Sequence, residues 1–480
     1  MSAPTRRARG RPPRATRDEL DRAIDRAAGA RPIGGNRLEH HPDSARALEA
    51  MLEQIAAARR AIDFENYIMR DDRTGRRFAE ALVERARAGV VVRVLYDALG
   101  SVGTSRRYWR HLVQAGAQVR AFHPLLSGHP LDLVVRDHRK LLVTDGTRAI
   151  LGGLCIGDEW AGDPARHRRP WRDTMVGVYG PAAAALDRAF TRIWRRAGGE
   201  PPRDEPRPVA NPASCGTSIA RVVEGVPGQA RVYRAVQLLV ATAAERLWIT
   251  DAYLMAPPPL YASLLDAARG GVDVRLLVPG TSDLPVLRNF TRVGYRELLH
   301  AGVRIFEYQG PMIHAKTMLV DHRWARVGSS NLNVSSLLTN YELDLVAECE
   351  ELTGELALQF RRDLAASREI VLQARRLRLP LPPRLVGAPA TPVVAQPRGR
   401  HRRSGYELGA VAVVALRRVA GGLRRAIATT AALALAGLGA LLLAFPRVMS
   451  IVLAAGTFWL AVGFGLYALE QRRTRESDDG

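Results

Sequence analysis

Apolar and polar positions along the chain form a series of short segments that occurs twice, with a period of about 180 residues. Three pairs of segments predict strands in matching order: 61–67 with 247–253, 89–95 with 271–277, and 115–119 with 301–305. Apolar runs of this kind favour strands, and a helical segment follows the first strand of each series. Strands that alternate with helices predict an α/β fold with a largely parallel or mixed sheet in each half.

This repetition predicts two pseudo-symmetric repeats joined by proline-rich sequence. Prolines concentrate at 198–215 and again at 380–404, where a helix or central strand cannot continue. We expect the following organisation: a basic tail, solvated or a frayed helix, at 1–35; repeats at 36–205 and 206–375; a Pro/Arg-rich linker at 376–425; a transmembrane helical hairpin at 426–470; and a polar tail at 471–480.

The hairpin is predicted from two uncharged apolar runs, 427–445 and 448–469, separated by Pro446 and Arg447. Each run is long enough to cross ~30 Å of hydrocarbon as a helix. Two buried helices of a soluble domain are the alternative, but the runs are apolar on all sides and arginines flank the pair. By the positive-inside rule, these arginines place both outer ends of the hairpin, and with them the two repeats, in the cytoplasm.

The charge of the chain predicts attraction to anionic partners such as nucleic acid or lipid headgroups, because 70 basic residues face 48 acidic ones. Only two of these 70 basic residues are lysines, Lys140 and Lys316, and all the others are arginines. The two lysines occupy matching positions in the two repeats. An ammonium is a compact charge and a guanidinium a planar fork, so these two positions are expected to require the ammonium. Three widely spaced cysteines predict neither a disulfide framework nor a zinc site.

Both lysines belong to the same motif, His-x-Lys-x4-Asp. The motif comprises His138, Lys140 and Asp145 in the first repeat and His314, Lys316 and Asp321 in the second. Histidine and lysine two positions apart on a strand project to one face, so an imidazole and an ammonium can converge on one phosphate. A turn of small residues follows each motif, which makes a chance duplication improbable.

With these motifs the chain resembles the phospholipase D superfamily, and it is most similar to the bacterial cardiolipin synthases within it, over roughly residues 40–365. Shorter matches at 96–101, 171–173, 294–303 and 340–342 support the resemblance. It implies that the two repeats pack around one active site per chain, which uses neither a metal ion nor another cofactor.

The resemblance also implies roles for individual residues. In that family one histidine attacks phosphorus and forms a phosphohistidine, while the other protonates the leaving alcohol and then deprotonates the acceptor. By this likeness His138 is the nucleophile and His314 the acid/base, and the near symmetry of the motifs leaves the reverse order open. Asp173 and Glu342 are the carboxylates expected to orient the two histidines.

The remaining candidates lie at the ends of the motifs and in the turns that follow them. Asn331 and Ser329 are implied to bind phosphate, and Cys155 stands where the first repeat should carry a second asparagine. A thiol donates hydrogen bonds more weakly than an amide, so this half of the phosphate pocket is expected to differ. Asp145 and Asp321 complete the candidate catalytic set, as structural supports near the lysines and the turns.

The function implied by the resemblance is cardiolipin synthesis, in which a phosphatidyl group passes from one phosphatidylglycerol to another at a membrane. A hairpin that holds the site at the bilayer suits a lipid substrate, and the site is expected on the cytoplasmic side of the bacterial inner membrane. Hydrolysis by a phospholipase D uses the same residues and stays open. A nuclease does not explain the hairpin, so no nucleic acid is expected, and a noncatalytic scaffold does not explain two intact motifs. The oligomeric state is left open.

Overall fold

The computed structural model describes residues 17–124, 135–200 and 212–372. The described part begins with α1 (Arg17–Ala28). The first repeat then contains β1 (Ile33–His41), α2 (Ser44–Ala57), β2 (Ala61–Asn66), α3 (Arg73–Arg87), β3 (Val91–Asp97), α4 (Arg106–Gln114), β4 (Gln118–Phe122), β5 (Lys140–Thr144), β6 (Arg148–Gly152), α5 (Asp158–Ala161), a short 3-10 turn (Pro164–Arg166), β7 (Met175–Tyr179) and α6 (Pro181–Arg196).

The second repeat follows the same order of elements. It contains β8 (Ser218–Gly225), α7 (Arg231–Thr242), β9 (Arg246–Thr250), α8 (Pro258–Arg269), β10 (Asp273–Pro279), α9 (Pro285–Val293), α10 (Tyr295–His300), β11 (Arg304–Tyr308), β12 (Thr317–Val320), β13 (Trp324–Gly328), a π-helical turn (Ser335–Thr339), β14 (Glu342–Glu348), α11 (Glu350–Ala365) and β15 (Ser367–Ile370). The predicted α/β duplication is therefore confirmed.

The strands of the described residues form one continuous mixed sheet whose centre is the antiparallel pair β1 and β8. From β1 outward the order is β7, β6, β5, β2, β3 and β4, and from β8 outward it is β14, β13, β12, β9, β10, β11 and β15. Within each half the strands β2, β3 and β4, or β9, β10 and β11, run parallel, and the others pair antiparallel. The two halves thus share one topology around a pseudo-two-fold relationship at the β1–β8 seam.

Glycines follow the helices that precede the parallel strands β3, β4, β10 and β11. Gly89 and Gly116 in the first repeat have φ angles of 84° and 100°, and Gly271 and Gly302 in the second have 92° and 98°. This left-handed backbone is accessible to glycine without a steric penalty, and it turns the chain from the helix into the next strand.

The hydrophobic core joins the two repeats. One cluster of buried side chains combines α6 and strands β5 to β7 of the first repeat with α11 and strands β12 to β14 of the second. Phe190 and Trp194 on α6 and Phe360 on α11 are among its largest members. Each fully buried side chain of this size contributes roughly 1.5–3 kcal/mol, so the shared core holds the repeats in a fixed relation.

Residues 17–28 differ from the solvated tail or frayed helix expected for residues 1–35. They form α1, in which Ile24 is fully buried against the second repeat. The Nε of Arg221 on β8 donates to a carboxylate oxygen of Asp25 at 2.6 Å. The correction has a simple physical cause, because an amphipathic helix with one apolar face gains stability by packing that face on the core.

The C-terminal predictions cannot be compared with the structure. The linker at 376–425, the hairpin at 426–470 and the tail at 471–480 all lie outside the described residues. Among the residues from 17 to 372 that the structure does describe, no helix combines the length and the apolar character needed to span a bilayer.

Candidate active site

The two His-x-Lys pairs lie where the chain enters equivalent strands. Lys140 is the first residue of β5, and Lys316 directly precedes β12, so each histidine sits just before its strand and not within it. The Nζ atom of each lysine donates a hydrogen bond to the main-chain carbonyl of the histidine two residues earlier. Both ammonium groups are buried, which sets two positive charges inside the protein next to the two imidazoles.

Main-chain hydrogen bonds hold each motif against the opposite repeat. The N–H of His138 donates to the carbonyl of Tyr341 at 2.9 Å, and the N–H of Tyr341 donates back to residue 136 at 2.8 Å. In the same way, the N–H of His314 donates to the carbonyl of Arg172 at 2.7 Å. These two short parallel bridges place each histidine beside the residue that precedes a candidate carboxylate of the other repeat.

The candidate carboxylates therefore pair with the histidines across the repeats. Nδ1 of His138 lies 3.0 and 3.1 Å from the two carboxylate oxygens of Glu342. Nδ1 of His314 lies 2.8 Å from Oδ2 of Asp173. A carboxylate at Nδ1 fixes the tautomer with the proton on that nitrogen and leaves Nε2 available for chemistry. Neither half of the site is complete without the other repeat.

Each carboxylate has a second hydrogen-bond donor, and the two donors differ. The hydroxyl of Ser329 donates to Oε2 of Glu342, whereas Nε1 of Trp160 donates to Oδ2 of Asp173 at 3.0 Å. Ser329 was expected to bind phosphate, but its hydroxyl is engaged with the carboxylate and with the main chain of β14. Its counterpart in the first repeat is Gly153, where a Cβ atom would lie 2.3 Å from a carboxylate oxygen of Asp173.

Asn331 and Cys155 occupy equivalent positions in the two repeats, three residues after β13 and β6 respectively. The side-chain carbonyl of Asn331 is buried and accepts no hydrogen bond from the described residues, so it is available to a ligand. Cys155 is fully buried, and burial raises the pKa of its thiol even though Lys140 and Lys316 oppose that shift. The thiol is therefore neutral and poorly suited to attack phosphorus.

Burial and charge together set the protonation of the two histidines. Burial lowers the pKa of His138, with Glu342 opposing the shift and both lysines adding to it. Burial, and then Lys316, lower the pKa of His314 to about 3 in spite of Asp173. Both imidazoles are accordingly neutral at pH 7 in the free protein, which is the form that can attack phosphorus or accept a proton.

The pKa values of three charged groups around the histidines are lowered, for different reasons. Burial alone would raise the pKa of Glu342, but His138, Lys140 and Ser329 together lower it to about 2. His314 and Lys316 likewise outweigh burial and lower the pKa of Asp173. Burial lowers the pKa of Lys316 to about 8. Near pH 7 the site thus holds two ionised carboxylates behind the imidazoles and a charged Lys316.

Two tyrosines that sequence reasoning did not select flank the histidines. The ring of Tyr67 lies 4.8 Å from that of His138, and Nζ of Lys140 lies 5.0 Å from the centre of the same tyrosine ring. The ring of Tyr253 lies 5.9 Å from that of His314. Tyr67 directly follows β2 and Tyr253 lies three residues after β9. Both end the matched segments 61–67 and 247–253, and this shared position in the two repeats was the available signal.

Asp145 and Asp321 lie away from this cluster. Asp145 is at the far end of β5, about 16 Å along the strand from Lys140. Its carboxylate accepts hydrogen bonds from the main-chain N–H groups of residues 59–61, and that of Asp321 does so from residues 244–246. Both aspartates support the turn into the neighbouring strand, as expected, but they are not close to the lysines, because an extended strand separates them.

The arrangement is suited to one kind of chemistry. Two neutral imidazoles, each fixed by a carboxylate, share a buried site with two ammonium groups, and a phosphodiester requires a nucleophile, an acid and positive charge for its oxygens. The fold and the site together define a class of enzyme in which two repeats, each with one His-x-Lys pair, form a single site for phosphodiester transfer.

Comparison with known proteins agrees with this class. The family described as cardiolipin synthase, PLD-like domain, matches residues 51–194 and 237–364. Cardiolipin synthase A of Pseudomonas aeruginosa is 33% identical over 362 residues, which cover 74% of this chain and 72% of that protein. Cardiolipin synthase A of Pseudomonas fluorescens is 34% identical over 333 residues, 68% of each chain.

A solved structure shares the fold at low sequence identity. The phosphatidylserine synthase of Haemophilus influenzae superposes with a TM-score of 0.58 at 13% identity, covering 73% of this chain and 92% of that one. The chain belongs to the cardiolipin synthase family of phospholipase D-like proteins and is a phosphatidyltransferase of that superfamily.

Proposed function

We propose that the protein transfers a phosphatidyl group from one phosphatidylglycerol molecule to a hydroxyl of a second, which yields cardiolipin and free glycerol. The observation that carries this proposal is the reciprocal pairing of His138 with Glu342 and of His314 with Asp173 across the repeats. The product is inferred from a relative that is named cardiolipin synthase and that matches about three quarters of the chain.

In the first step, Nε2 of His138 attacks the phosphorus of the donor lipid, and the bond from phosphorus to the headgroup glycerol oxygen breaks. When the lipid binds, Nε2 of His314 takes up a proton from solvent, and His314 gives this proton to that oxygen as glycerol leaves. The pKa of His314 is about 3 in the free protein, but a bound phosphodiester brings negative charge beside the ring and raises it. Lys140 and Lys316 stabilise the charge that develops on the nonbridging phosphate oxygens.

In the second step, the neutral His314 removes the proton from a hydroxyl of the acceptor lipid. The acceptor oxygen attacks phosphorus and the bond to Nε2 of His138 breaks, which frees His138 and leaves the acceptor's proton on Nε2 of His314, from which it returns to solvent when the product leaves. By the resemblance of the turn after the second motif, we assign phosphate binding to the side-chain NH2 group of Asn331, which can donate to a phosphate oxygen. The same intermediate would give phosphatidic acid if water replaced the acceptor, so exclusion of water from the buried site favours transfer.

We place this reaction at the cytoplasmic face of the bacterial inner membrane. The support is the pair of uncharged runs at 427–445 and 448–469, which can form a transmembrane hairpin flanked by arginines. A tethered site meets a lipid substrate at a high effective concentration, which suits an enzyme whose two substrates both reside in the bilayer.

The proposal is tested by incubating the full-length membrane-embedded protein with phosphatidylglycerol as the sole lipid and analysing the products by mass spectrometry. We expect cardiolipin and an equal amount of glycerol. Phosphatidic acid without cardiolipin would show a hydrolase and overturn the transfer reaction. His138→Ala and His314→Ala should abolish turnover, whereas the matched variant His322→Ala, at an exposed histidine outside the site, should retain it.

The order of the two histidines is tested separately with a donor that carries a labelled acyl chain. After rapid quenching and proteolysis, the labelled phosphatidyl group should be attached to the peptide that contains residue 138. Recovery of the label on the peptide with residue 314 would reverse the two roles and leave the overall reaction unchanged.

A further inference from the structure

Large apolar side chains are exposed around the mouth of the site in both repeats. Seven of them lie in the segments that follow β3, β9, β10 and β13 or on α9, and we call this set the apolar rim: Leu99, Val102, Met255, Leu284, Phe290, Val293 and Val334. Val293 is 79% exposed and Phe290 60%, which is unusual for side chains that gain free energy when they leave water. Contiguous exposed apolar surface beside a site commonly marks a binding face.

Hydrogen bonds tie the second-repeat part of the rim to Tyr253. Thr291 on α9, between Phe290 and Val293, donates its hydroxyl proton to the carbonyl of residue 254 at 2.9 Å. The hydroxyl of Tyr253 lies 2.8 Å from Asp283, the residue before Leu284. Asn333, the residue before Val334, donates to the carbonyl of Tyr253 at 3.2 Å. The ring of Tyr253 faces His314, so these side chains border the catalytic cleft.

The first repeat contributes the opposite side of the rim. The hydroxyl of Ser101, between Leu99 and Val102, donates to the carbonyl of Tyr67 at 3.2 Å. Tyr67 packs on His138, as Tyr253 does on His314. The pseudo-two-fold symmetry therefore places exposed apolar groups on both sides of one opening.

Charge around the opening is basic. Arg106 and Arg107 in the first turn of α4 are exposed and follow Val102 closely. Arg168 and Arg169 are exposed in the loop that leads to Trp171, whose ring lies 5.9 Å from that of His314. Apolar side chains surrounded by arginines match the interface of an anionic bilayer, where apolar groups enter the acyl region and arginines meet lipid phosphates.

We propose that the apolar rim docks the catalytic domain on an anionic phospholipid bilayer, with Phe290 and Val293 inserted, so that lipid enters the site without leaving the membrane. This rests on the proposed function for the identity of the substrate. An apolar groove of about 300 Å³ lined by Leu254, Met255, Tyr261, Phe290 and Leu298 opens within the rim.

Insertion is tested with an environment-sensitive fluorophore on Val293→Cys in the full-length chain, reconstituted in phosphatidylglycerol-containing bilayers. The exposed Cys215 is replaced by serine so that labelling is specific. The matched position is Val113→Cys, since Val113 is 53% exposed at the end of α4 that leads away from the site. The label at 293 should be blue-shifted and quenched by lipid-borne quenchers, while the label at 113 should resemble one in water.

The functional arm compares two substrates. Phe290→Ser with Val293→Ser should slow turnover of long-chain lipid in bilayers by roughly ten-fold or more, with no change for monomeric dihexanoyl phosphatidylglycerol. Val113→Ser should change neither rate. Equal losses on both substrates would mean that the two residues shape the site and would overturn docking.

The remaining outcomes separate this inference from the proposed function. A label at 293 that stays in water overturns docking, as does one that is blue-shifted yet inaccessible to lipid quenchers, which would indicate contact with a second copy of the chain. If the label is quenched by lipid but the unmodified enzyme forms no cardiolipin from either substrate, docking stands and the proposed reaction fails.

Discussion

Glu342 on β14 of the second repeat accepts a hydrogen bond from Nδ1 of His138 in the first, with Nδ1 to Oε1 at 3.0 Å. The carboxylate holds the imidazole in the tautomer that presents Nε2 to phosphorus. Glu342→Gln should lower kcat by about 10²–10⁴-fold with little change in KM, because an amide can donate to Nδ1 and stabilise the other tautomer.

The matched control for this substitution is Glu84→Gln on the exposed face of α3, which should leave kcat unchanged. Steady-state kinetics in phosphatidylglycerol bilayers and a thermal unfolding curve for each variant are sufficient measurements. A Glu342→Gln enzyme with normal kcat would show that the carboxylate does not position the histidine.

Gly153 provides a second test of the carboxylate geometry. An alanine Cβ there would lie 2.3 Å from Oδ1 of Asp173, so Gly153→Ala should displace the carboxylate from His314 and lower kcat by at least about ten-fold. Gly354→Ala on α11 is the control, since a Cβ at that position meets no atom within 4 Å and alanine favours the helix. If both variants have the activity of the unmodified enzyme, the position of the Asp173 carboxylate does not control the function of His314.

The lowered pKa of Lys316 predicts that kcat/KM decreases at alkaline pH. Burial lowers the pKa of this lysine to about 8, so in the free enzyme it is charged below that pH and loses its proton as the pH rises through it. In the proposed mechanism this charge stabilises the transition state, so kcat/KM should fall about ten-fold per pH unit above pH 8. Bound phosphate stabilises the ammonium, and the corresponding decrease in kcat should lie at higher pH.

This dependence can be measured as kcat/KM between pH 6 and pH 10. The variant Lys316→Arg keeps its charge over that range, so any residual activity should lack this decrease. A profile of the unmodified enzyme that is flat up to pH 10 would rule out Lys316 as its source.

Asp145 should contribute to stability and not to the chemistry, although it closes the His-x-Lys-x4-Asp motif. Its carboxylate accepts hydrogen bonds from three successive main-chain N–H groups at 59–61. Asp145→Ala should lower the free energy of unfolding by about 1–2 kcal/mol, as loss of a capping side chain does, and the positive φ of 54° adds strain for alanine.

The comparison for Asp145→Ala is Asp145→Asn, because asparagine tolerates the left-handed backbone and keeps one acceptor. Thermal unfolding should rank the three proteins with asparagine between aspartate and alanine. Turnover per folded molecule should stay within about two-fold throughout, since the strand β5 separates this carboxylate from the site by ~16 Å. A large loss of kcat at unchanged stability would contradict the supporting role.

The transmembrane hairpin at 426–470 is a prediction from the local sequence pattern alone. The apolar runs predict it from composition and length, and the described residues end before it. At the N-terminus the local pattern was misleading for residues 17–28. The charged character suggested solvation, and the burial of Ile24 depends on a surface of the second repeat that is distant in sequence.

The sequence by itself determined the duplication, the strands that build it, and the two His-x-Lys pairs, because each is a local pattern that occurs twice. It also gave Asp173 and Glu342 as candidate carboxylates through resemblance. Tertiary structure alone decided that each carboxylate serves the histidine of the other repeat, since those pairs join residues 141 and 204 positions apart.

Tertiary structure likewise decided that Ser329 donates to Glu342, that Tyr67 and Tyr253 flank the histidines, and that burial sets the protonation of the site. These properties depend on distances and on the exclusion of water, which arise when the two repeats come together in one sheet around a shared core. Spacing along a chain fixes which residues share a strand, whereas packing fixes which charges face each other and how strongly they interact.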